Sequence, residues 1–205
     1  MNRYSASLRQ SVAAGDSDAC QKVCLQILEW GGVTNGNSAK IEAKHQVGTL
    51  ISFFNNAQRV LAADVADEAS PPSIEMNAGF TKLYALLLPD FIIYDSRVGA
   101  ALGLLVRWHC QEASLKKIPA ALQFGYPTGR TTQADSEQSR RNPSTSDYQF
   151  FRLTHDKPIE WTRHNLRANW LLSEVLRKTR SRFNDEANPL RALEAALFMV
   201  DYQVN

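Results

Sequence analysis

The chain has 205 residues, of which 44% are hydrophobic and 21% are charged, and its net charge is +2 at pH 7. This composition is that of a globular protein and excludes a disordered or fibrous one. No apolar run reaches the roughly 18–20 residues that a membrane-spanning helix needs, and the N-terminal residues lack the apolar segment of a secretory signal. We therefore expect one folded unit over residues 1–205, in the cytoplasm and without a membrane partner.

The first half of the chain predicts three helices separated by turn signals. Capping residues at 16–18 and a Gly-Gly pair at 31–32 predict a helix from residue 17 or 18 to about residue 30. Apolar residues at helical spacing predict one long helix over residues 37–61. An acidic loop at residues 64–72 precedes a third helix, which we expect from residue 74 or 76 to residue 88.

The second half adds three more helices and a polar loop. Residues 91–94 form a short β-branched run and predict one weak strand, and Asp95 and Ser96 then offer an N-cap for a helix that runs through Cys110. Residues 125–146 are polar, which predicts a long loop. Closing helices are expected at about 160–182 and 190–202, so the predicted fold class is all-α.

Lys82 and Asp95 stand at the two ends of a largely apolar run, residues 83–94. An amine in apolar surroundings is a nucleophile, and a nearby carboxylate takes its proton, orients a water or stabilises an oxocarbenium ion. Those are the requirements for breaking an N-glycosidic bond. The structural alternative is that Asp95 only caps its helix and that Lys82 reaches solvent along its aliphatic stem.

The order of residues around this pair resembles the core of the helix-hairpin-helix DNA glycosylases, the superfamily of endonuclease III and 8-oxoguanine DNA glycosylase. The matching residues are Gly79, Thr81-Lys82-Leu83-Tyr84-Ala85, Pro89 and Ile92-Ile93-Tyr94-Asp95-Ser96-Arg97-Val98. The likeness is closest to short bacterial proteins with an 8-oxoguanine glycosylase fold, and it extends through residues 165–172 and 191–200. It implies a helix-hairpin-helix glycosylase-like fold, with Lys82 as the nucleophile and Asp95 as the catalytic aspartate, acting on double-stranded DNA with a flipped base.

DNA contacts are expected in two places. The resemblance implies contacts to a phosphate from the hairpin at Gly79 and Thr81, and Arg97 is a further candidate. Residues 127–182 carry eleven Lys/Arg against six Asp/Glu, and most of these cations are arginines, which suit bidentate phosphate contacts. The polar loop supplies three of these arginines as expected contacts to phosphate or to the base: Arg130, Arg140 and Arg141. A solvated, charged helix face explains the same charge pattern equally well.

Glycosylases stack the extruded base on aromatic side chains, and Phe124 and Tyr126 beside the polar loop are the expected pocket wall. No metal site is expected, because the histidines are scattered along the sequence. Cys20 and Cys24 are four residues apart, and we predict that they are small buried side chains of the core. The chain has no four-cysteine pattern for an iron–sulfur cluster, so we expect no cofactor.

Two departures from the family pattern favour the first of two alternative functions. Phe80 stands where the usual hairpin has its second glycine, and the interval from Lys82 to Asp95 is shorter than in the better-known members. One alternative is a non-catalytic DNA-binding or assembly module that keeps the fold. Another is a helical protein-interaction subunit that uses the face of residues 190–202. A monomer is expected in the catalytic case.

Overall fold

The computed structural model describes residues 2–62, 67, 69–127 and 141–200, and this part of the chain is mostly helical. Two 3-10 turns, Ala120–Leu122 and Arg182–Asp185, and one parallel pair of two-residue strands, β1 (Tyr126–Pro127) and β2 (Arg152–Leu153), complete the elements. The eight helices of the described ranges are α1 (Asn2–Ala14), α2 (Ser17–Trp30), α3 (Asn37–Gln46), α4 (Leu50–Leu61), α5 (Phe80–Leu87), α6 (Ser96–Glu112), α7 (Pro158–Lys178) and α8 (Pro189–Val200). The all-α prediction is confirmed.

The predicted long helix over residues 37–61 is wrong in one respect, because the structure divides it into α3 and α4. Gly48 adopts a φ of +70°, a left-handed conformation that ends a helix and that glycine adopts without steric cost. The amides of Gly48 and Thr49 donate to the carbonyls of His45 and Lys44, which closes the end of α3. The apolar periodicity continues across this break, so periodicity alone did not reveal it.

The third predicted helix begins later than expected, at Phe80. Asn77 sets this start, because its side-chain oxygen accepts hydrogen bonds from the amides of Gly79 (2.8 Å) and Phe80 (3.1 Å). Such a side chain satisfies amides that have no partner inside the helix. The predicted starts of α2 and α6 are confirmed, with Asp16 and Asp95 as the capping residues.

Helix α1, which the sequence analysis did not predict, covers one side of α2 and the end of α5. Ser5 Oγ donates to the carbonyl of Leu86 at 2.7 Å, and Arg9 Nε donates to that of Leu87 at 2.9 Å. These bonds satisfy carbonyls at the C-terminal end of α5 that lack helical partners. Cys20 and Cys24 are fully buried on α2 and belong to the hydrophobic core, as predicted.

The structure describes residues 91–94, and none of them belongs to the predicted strand. Side chains from α5, α7 and α8 take the place of a neighbouring strand. The bonds to this segment include Ile92 N to Asn169 Oδ1 (2.8 Å), Ile93 N to Glu194 Oε2 (2.8 Å), Tyr94 N to Thr81 Oγ1 (2.8 Å) and Trp161 Nε1 to the carbonyl of Tyr94 (3.0 Å). The backbone that leads into Asp95 is therefore fixed by tertiary contacts. Within the described ranges, no helix is long and apolar enough to cross a bilayer.

Candidate active site

Lys82 lies in the first turn of α5, and its amine reaches the start of α6. Its Nζ is 3.2 Å from Asp95 Oδ2 and donates a second hydrogen bond to the carbonyl of Ala78 at 3.1 Å. The Lys82 side chain is 9% exposed and that of Asp95 is 13% exposed. The amine therefore does not extend into solvent as the structural alternative supposed. It is paired with the carboxylate in a mostly buried position.

The stem of Lys82 packs against Gly31, the residue that ends α2. A Cβ added at Gly31 would lie 2.6 Å from Lys82 Cδ, which is closer than real Cβ atoms approach a neighbour. The glycine that the sequence analysis read only as a helix stop therefore also makes room for the lysine. This contact directs the amine toward Asp95.

Asp95 divides its two carboxylate oxygens between two tasks. Oδ1 accepts hydrogen bonds from the amides of Arg97 (3.0 Å) and Val98 (3.3 Å), which caps α6. Oδ2 is left for Lys82. The sequence is compatible with either capping or pairing with lysine, and the structure shows both at once. Because the cap fixes the rotamer of the carboxylate, Oδ2 has a defined direction.

The pair lies in the wall of an open cleft with a volume of about 1610 Å³. This exceeds the roughly 300–1,000 Å³ of an ordinary small-molecule pocket, so the cleft has room for part of a macromolecule. Its lining is basic, with two carboxylates, Asp95 and Glu194, against six cationic side chains among the described residues. These cations are Lys40, Lys82, Arg97, Arg141, Arg152 and Arg191.

Glu194, the second carboxylate of the cleft, was not predicted as a site residue. It is buried on α8, and burial raises its pKa, with the nearby Asp95 carboxylate acting in the same direction and Arg191 opposing both. Glu194 Oε2 accepts from the amide of Ile93 and from Arg191 Nη1. Arg191 Nη2 also donates to the carbonyls of Ala85 (2.6 Å) and Phe91 (3.1 Å). In the sequence, Glu194 lies on the apolar face of the amphipathic α8, and this position could have identified it as a candidate site residue.

The expected DNA contact of Thr81 requires correction. Its side chain is 0% exposed, and its hydroxyl donates to Asn165 Oδ1 at 2.8 Å and accepts from the amide of Tyr94 at 2.8 Å. Thr81 therefore links α5 to α7 and to the segment of residues 91–94. Its side chain does not face the cleft.

Gly79 does line the cleft, but its amide is already engaged by Asn77. A Cβ at Gly79 would lie 2.2 Å from Asn37 Nδ2, so close packing against α3 requires glycine here. Phe80 is fully buried and packs its ring against Phe53 and Tyr84. The amides of residues 79 and 80 thus serve the cap of α5 in this structure.

The expected base pocket at Phe124 and Tyr126 also requires correction. Both side chains are buried, and neither lines the cleft that contains Lys82 and Asp95. Burial raises the pKa of Tyr126, with Arg152 opposing the shift. The aromatic rings that do line the cleft are those of Trp30, His155 and Phe198.

Two of the predicted arginines reach the cleft. The guanidinium of Arg97 lies over the ring of Phe198 at 4.3 Å, and Arg141 Nη1 donates to Ser96 Oγ at 2.8 Å. Arg130 and Arg140 lie outside the described residues, as does most of the predicted polar loop. Among the residues that the structure describes, no group of three His, Cys, Asp or Glu side chains is arranged to hold a metal ion.

Comparison with known proteins adds no relative to this picture. No family model, no curated protein and no solved structure matches the chain. The geometry of the cleft and the residue order around Lys82 and Asp95 are therefore the features that bear on function.

Proposed function

We propose that the protein removes a damaged or modified base from double-stranded DNA by breaking its N-glycosidic bond. One observation carries this proposal: the amine of Lys82 lies 3.2 Å from Asp95 Oδ2 in the wall of an open cleft rich in cations. A nucleophile, a proton acceptor and a polyanion-attracting surface are the three components that the reaction needs.

Lys82 is the proposed nucleophile. Its ammonium passes a proton to Asp95, and the free amine then forms a bond to C1′ of the deoxyribose while the bond from C1′ to the base nitrogen breaks. The base leaves with that electron pair and takes the proton from Asp95. Because the amine is fixed by Asp95 and Ala78 before substrate arrives, little orientation entropy is lost at the reaction.

Asp95 completes the proposed cycle. The regenerated carboxylate takes a proton from the secondary ammonium of Lys82 and delivers it to O4′ as the sugar ring opens, which leaves a protonated imine between Lys82 and C1′. Water hydrolyses this imine and releases the lysine and an abasic sugar. The same carboxylate, held at the start of α6, also stabilises positive charge that develops at C1′.

The cations of the cleft provide the proposed contacts to DNA phosphates. Arg97, Arg141 and Arg152 line the cleft beside Asp95, and Lys40 lines it from α3. Each contact to a phosphate releases counterions, so we expect binding to weaken steeply with salt concentration. Arginine also suits the bidentate geometry of a phosphate group.

Borohydride trapping on a panel of duplexes that each carry one lesion tests the proposal. Reduction of the imine converts it into a stable amine, which appears as a protein–DNA adduct on a denaturing gel. We expect wild-type protein to form this adduct with at least one lesion and Lys82→Gln to form none. Lys40→Gln is the matched control, because it removes a cation of the same cleft that is distant in sequence and 46% exposed. It should keep trapping at the rate of the wild type at saturating DNA.

A second candidate function, a non-catalytic DNA-binding module, is favoured by the occupied hairpin amides. Asn77 holds the amides of Gly79 and Phe80, so this turn has fewer donors to offer a phosphate. Salt-sensitive duplex binding that Asp95→Asn leaves unchanged, without any adduct or abasic product, would select this candidate. Absence of a gel shift at low salt would exclude both DNA-directed functions.

A further inference from the structure

We propose that the indole of Trp30 is the surface on which the base extruded from DNA stacks. The proposal rests on the function proposed above and adds to it the side of the cleft that receives the base. It replaces the expected pocket wall at Phe124 and Tyr126, both of which are buried away from the cleft.

Trp30 is the last residue of α2, and its large apolar side chain remains 47% exposed while lining the cleft. Within the described part of the chain, no aromatic ring or cation stacks on its indole. Trp161 is an example of a tryptophan with a structural role in the same protein. It is 1% exposed, and its Nε1 donates to the carbonyl of Tyr94. Trp30 lacks this burial, and among the described residues its indole Nε1 donates no hydrogen bond.

The other two aromatic rings of the cleft already have partners. The ring of Phe198 carries the guanidinium of Arg97 at 4.3 Å, and the ring of His155 is stacked with Trp161 at 5.9 Å. Trp30 is therefore the aromatic group of the described cleft lining whose ring has no such partner. Its bicyclic indole is also the largest of the three surfaces for a base.

Trp30 directly precedes the residue that packs against the stem of Lys82. The following residue, Gly31, is the one whose missing side chain accommodates the stem of Lys82. Adjacent Cα atoms are about 3.8 Å apart, so Trp30 and the stem of Lys82 meet at the same glycine in the wall of the cleft, which all three residues line. A base stacked on that wall brings its own sugar toward the amine, whereas phosphates are met by the arginines at the start of α6.

The occupant that fits is an unpaired nucleobase. Every base has an aromatic face, and stacking on an aromatic side chain strengthens binding by a factor that exceeds about fivefold per base. The lining carries six cations against two carboxylates, and this excess of positive charge favours a polyanion over an uncharged aromatic ligand. A matched duplex keeps its bases inside the stack, so it gains the phosphate contacts but not the contact with Trp30.

The chain contains a matched control for the exposed indole. Trp108 on α6 is 46% exposed, almost as much as Trp30, but it does not line the cleft. Trp30→Ala, Trp30→Phe and Trp108→Ala are compared for binding to two short duplexes of the same length at one salt concentration. One duplex carries a single 2-aminopurine opposite a mismatched base, whose fluorescence reports extrusion and stacking, and the other is fully matched.

We expect Trp30→Ala to weaken binding of the mismatched duplex by about tenfold and to leave the matched duplex within about twofold. Trp30→Phe should recover part of the loss, because a phenyl ring still offers an aromatic face. Trp108→Ala should change neither affinity. Equal losses on the two duplexes, equal losses from Trp30→Ala and Trp108→Ala, or no loss from Trp30→Ala would each overturn the role of Trp30.

These outcomes are separable from failure of the proposed function. Borohydride trapping by wild-type protein without a selective loss in Trp30→Ala rejects the stacking surface and leaves the glycosylase proposal intact. A selective loss without trapping keeps the stacking surface and rejects Lys82 as the nucleophile. If wild-type protein binds neither duplex, both proposals are rejected.

Discussion

Removing Asp95 should destabilise the fold far more than removing Lys82, although the two residues form one ion pair. The compared variants are Asp95→Ala and Lys82→Met. Methionine keeps most of the aliphatic stem that packs against Gly31, whereas alanine removes both the partner of the lysine and the cap of α6.

The magnitudes follow from what each substitution leaves behind. In Asp95→Ala the loss of the cap costs about 1–2 kcal/mol. The ammonium of Lys82, 9% exposed, is then left with the carbonyl of Ala78 alone, and removing one partner of a buried pair costs about 3–5 kcal/mol. Because the site borders an open cleft, we expect the lower part of the combined range, about 4 kcal/mol.

Lys82→Met leaves the Asp95 carboxylate without its lysine, but this carboxylate keeps more hydrogen bonds than the Lys82 ammonium keeps in Asp95→Ala. The Asp95 carboxylate, 13% exposed, still accepts two amide hydrogen bonds and lies at the positive end of α6. The variant also relieves the cost of keeping an ammonium group away from water. We expect a loss of about 1 kcal/mol or less, so the two variants should differ by about 3 kcal/mol.

Urea unfolding at neutral pH measures this difference, with trapping recorded on the same samples. Lys40→Met serves as the control, because its pair with Glu75 is exposed and should be worth less than about 1 kcal/mol. Equal destabilisation by Lys82→Met and Asp95→Ala would refute the reasoning, since it would mean that the cap contributes nothing beyond the ion pair. Loss of trapping in the stable Lys82→Met variant would separate catalysis from folding.

Two further predictions concern buried groups. Thr81→Val keeps the shape of the side chain but orphans the amide of Tyr94, so we expect it to lower the free energy of unfolding by about 2–5 kcal/mol in urea without changing the DNA affinity of the folded protein. Weaker DNA binding at unchanged stability would instead restore Thr81 as a DNA contact. His164 is buried, and burial lowers its pKa from 6.5 to about 4, with Arg167 acting in the same direction. The unfolded chain therefore binds a proton that the folded chain does not between these pH values, and this group alone should lower stability by about 3 kcal/mol as pH falls from 6.5 to 4. The His164→Gln variant should lack that slope in urea titrations across this pH range, and pH profiles parallel to those of the wild type would contradict the assignment.

Features with local causes were predictable from the sequence. The starts of α2 and α6 coincide with Asp16 and Asp95, whose side chains accept amide hydrogen bonds two or three residues away. A cap of this kind needs no distant partner, so residue type and position are enough to place it. The exceptions were Gly48, whose positive φ divides a helix that the apolar pattern alone made continuous, and Asn77, whose local cap starts α5 later than predicted.

Features that depend on distant partners were not predictable in the same way. The β-branched run at residues 91–94 has the composition of a strand, but its hydrogen bonds go to Thr81, Asn169 and Glu194 on three helices. A single sequence shows that such a segment is extended and apolar. It does not show which element will satisfy its backbone.

The sequence by itself determined the chemistry available to this protein: an amine at the start of one helix, a carboxylate at the cap of another, and the all-α class. Only the tertiary structure decided that Lys82 and Asp95 meet at 3.2 Å and that Arg191 and Glu194, about a hundred residues later, hold the segment between them. The physical reason is the distance along the chain over which each kind of interaction acts. Caps and helical periodicity arise from bonds within a few residues, whereas the convergence of two helix starts on one cleft arises from packing among elements that the chain brings together only when it folds.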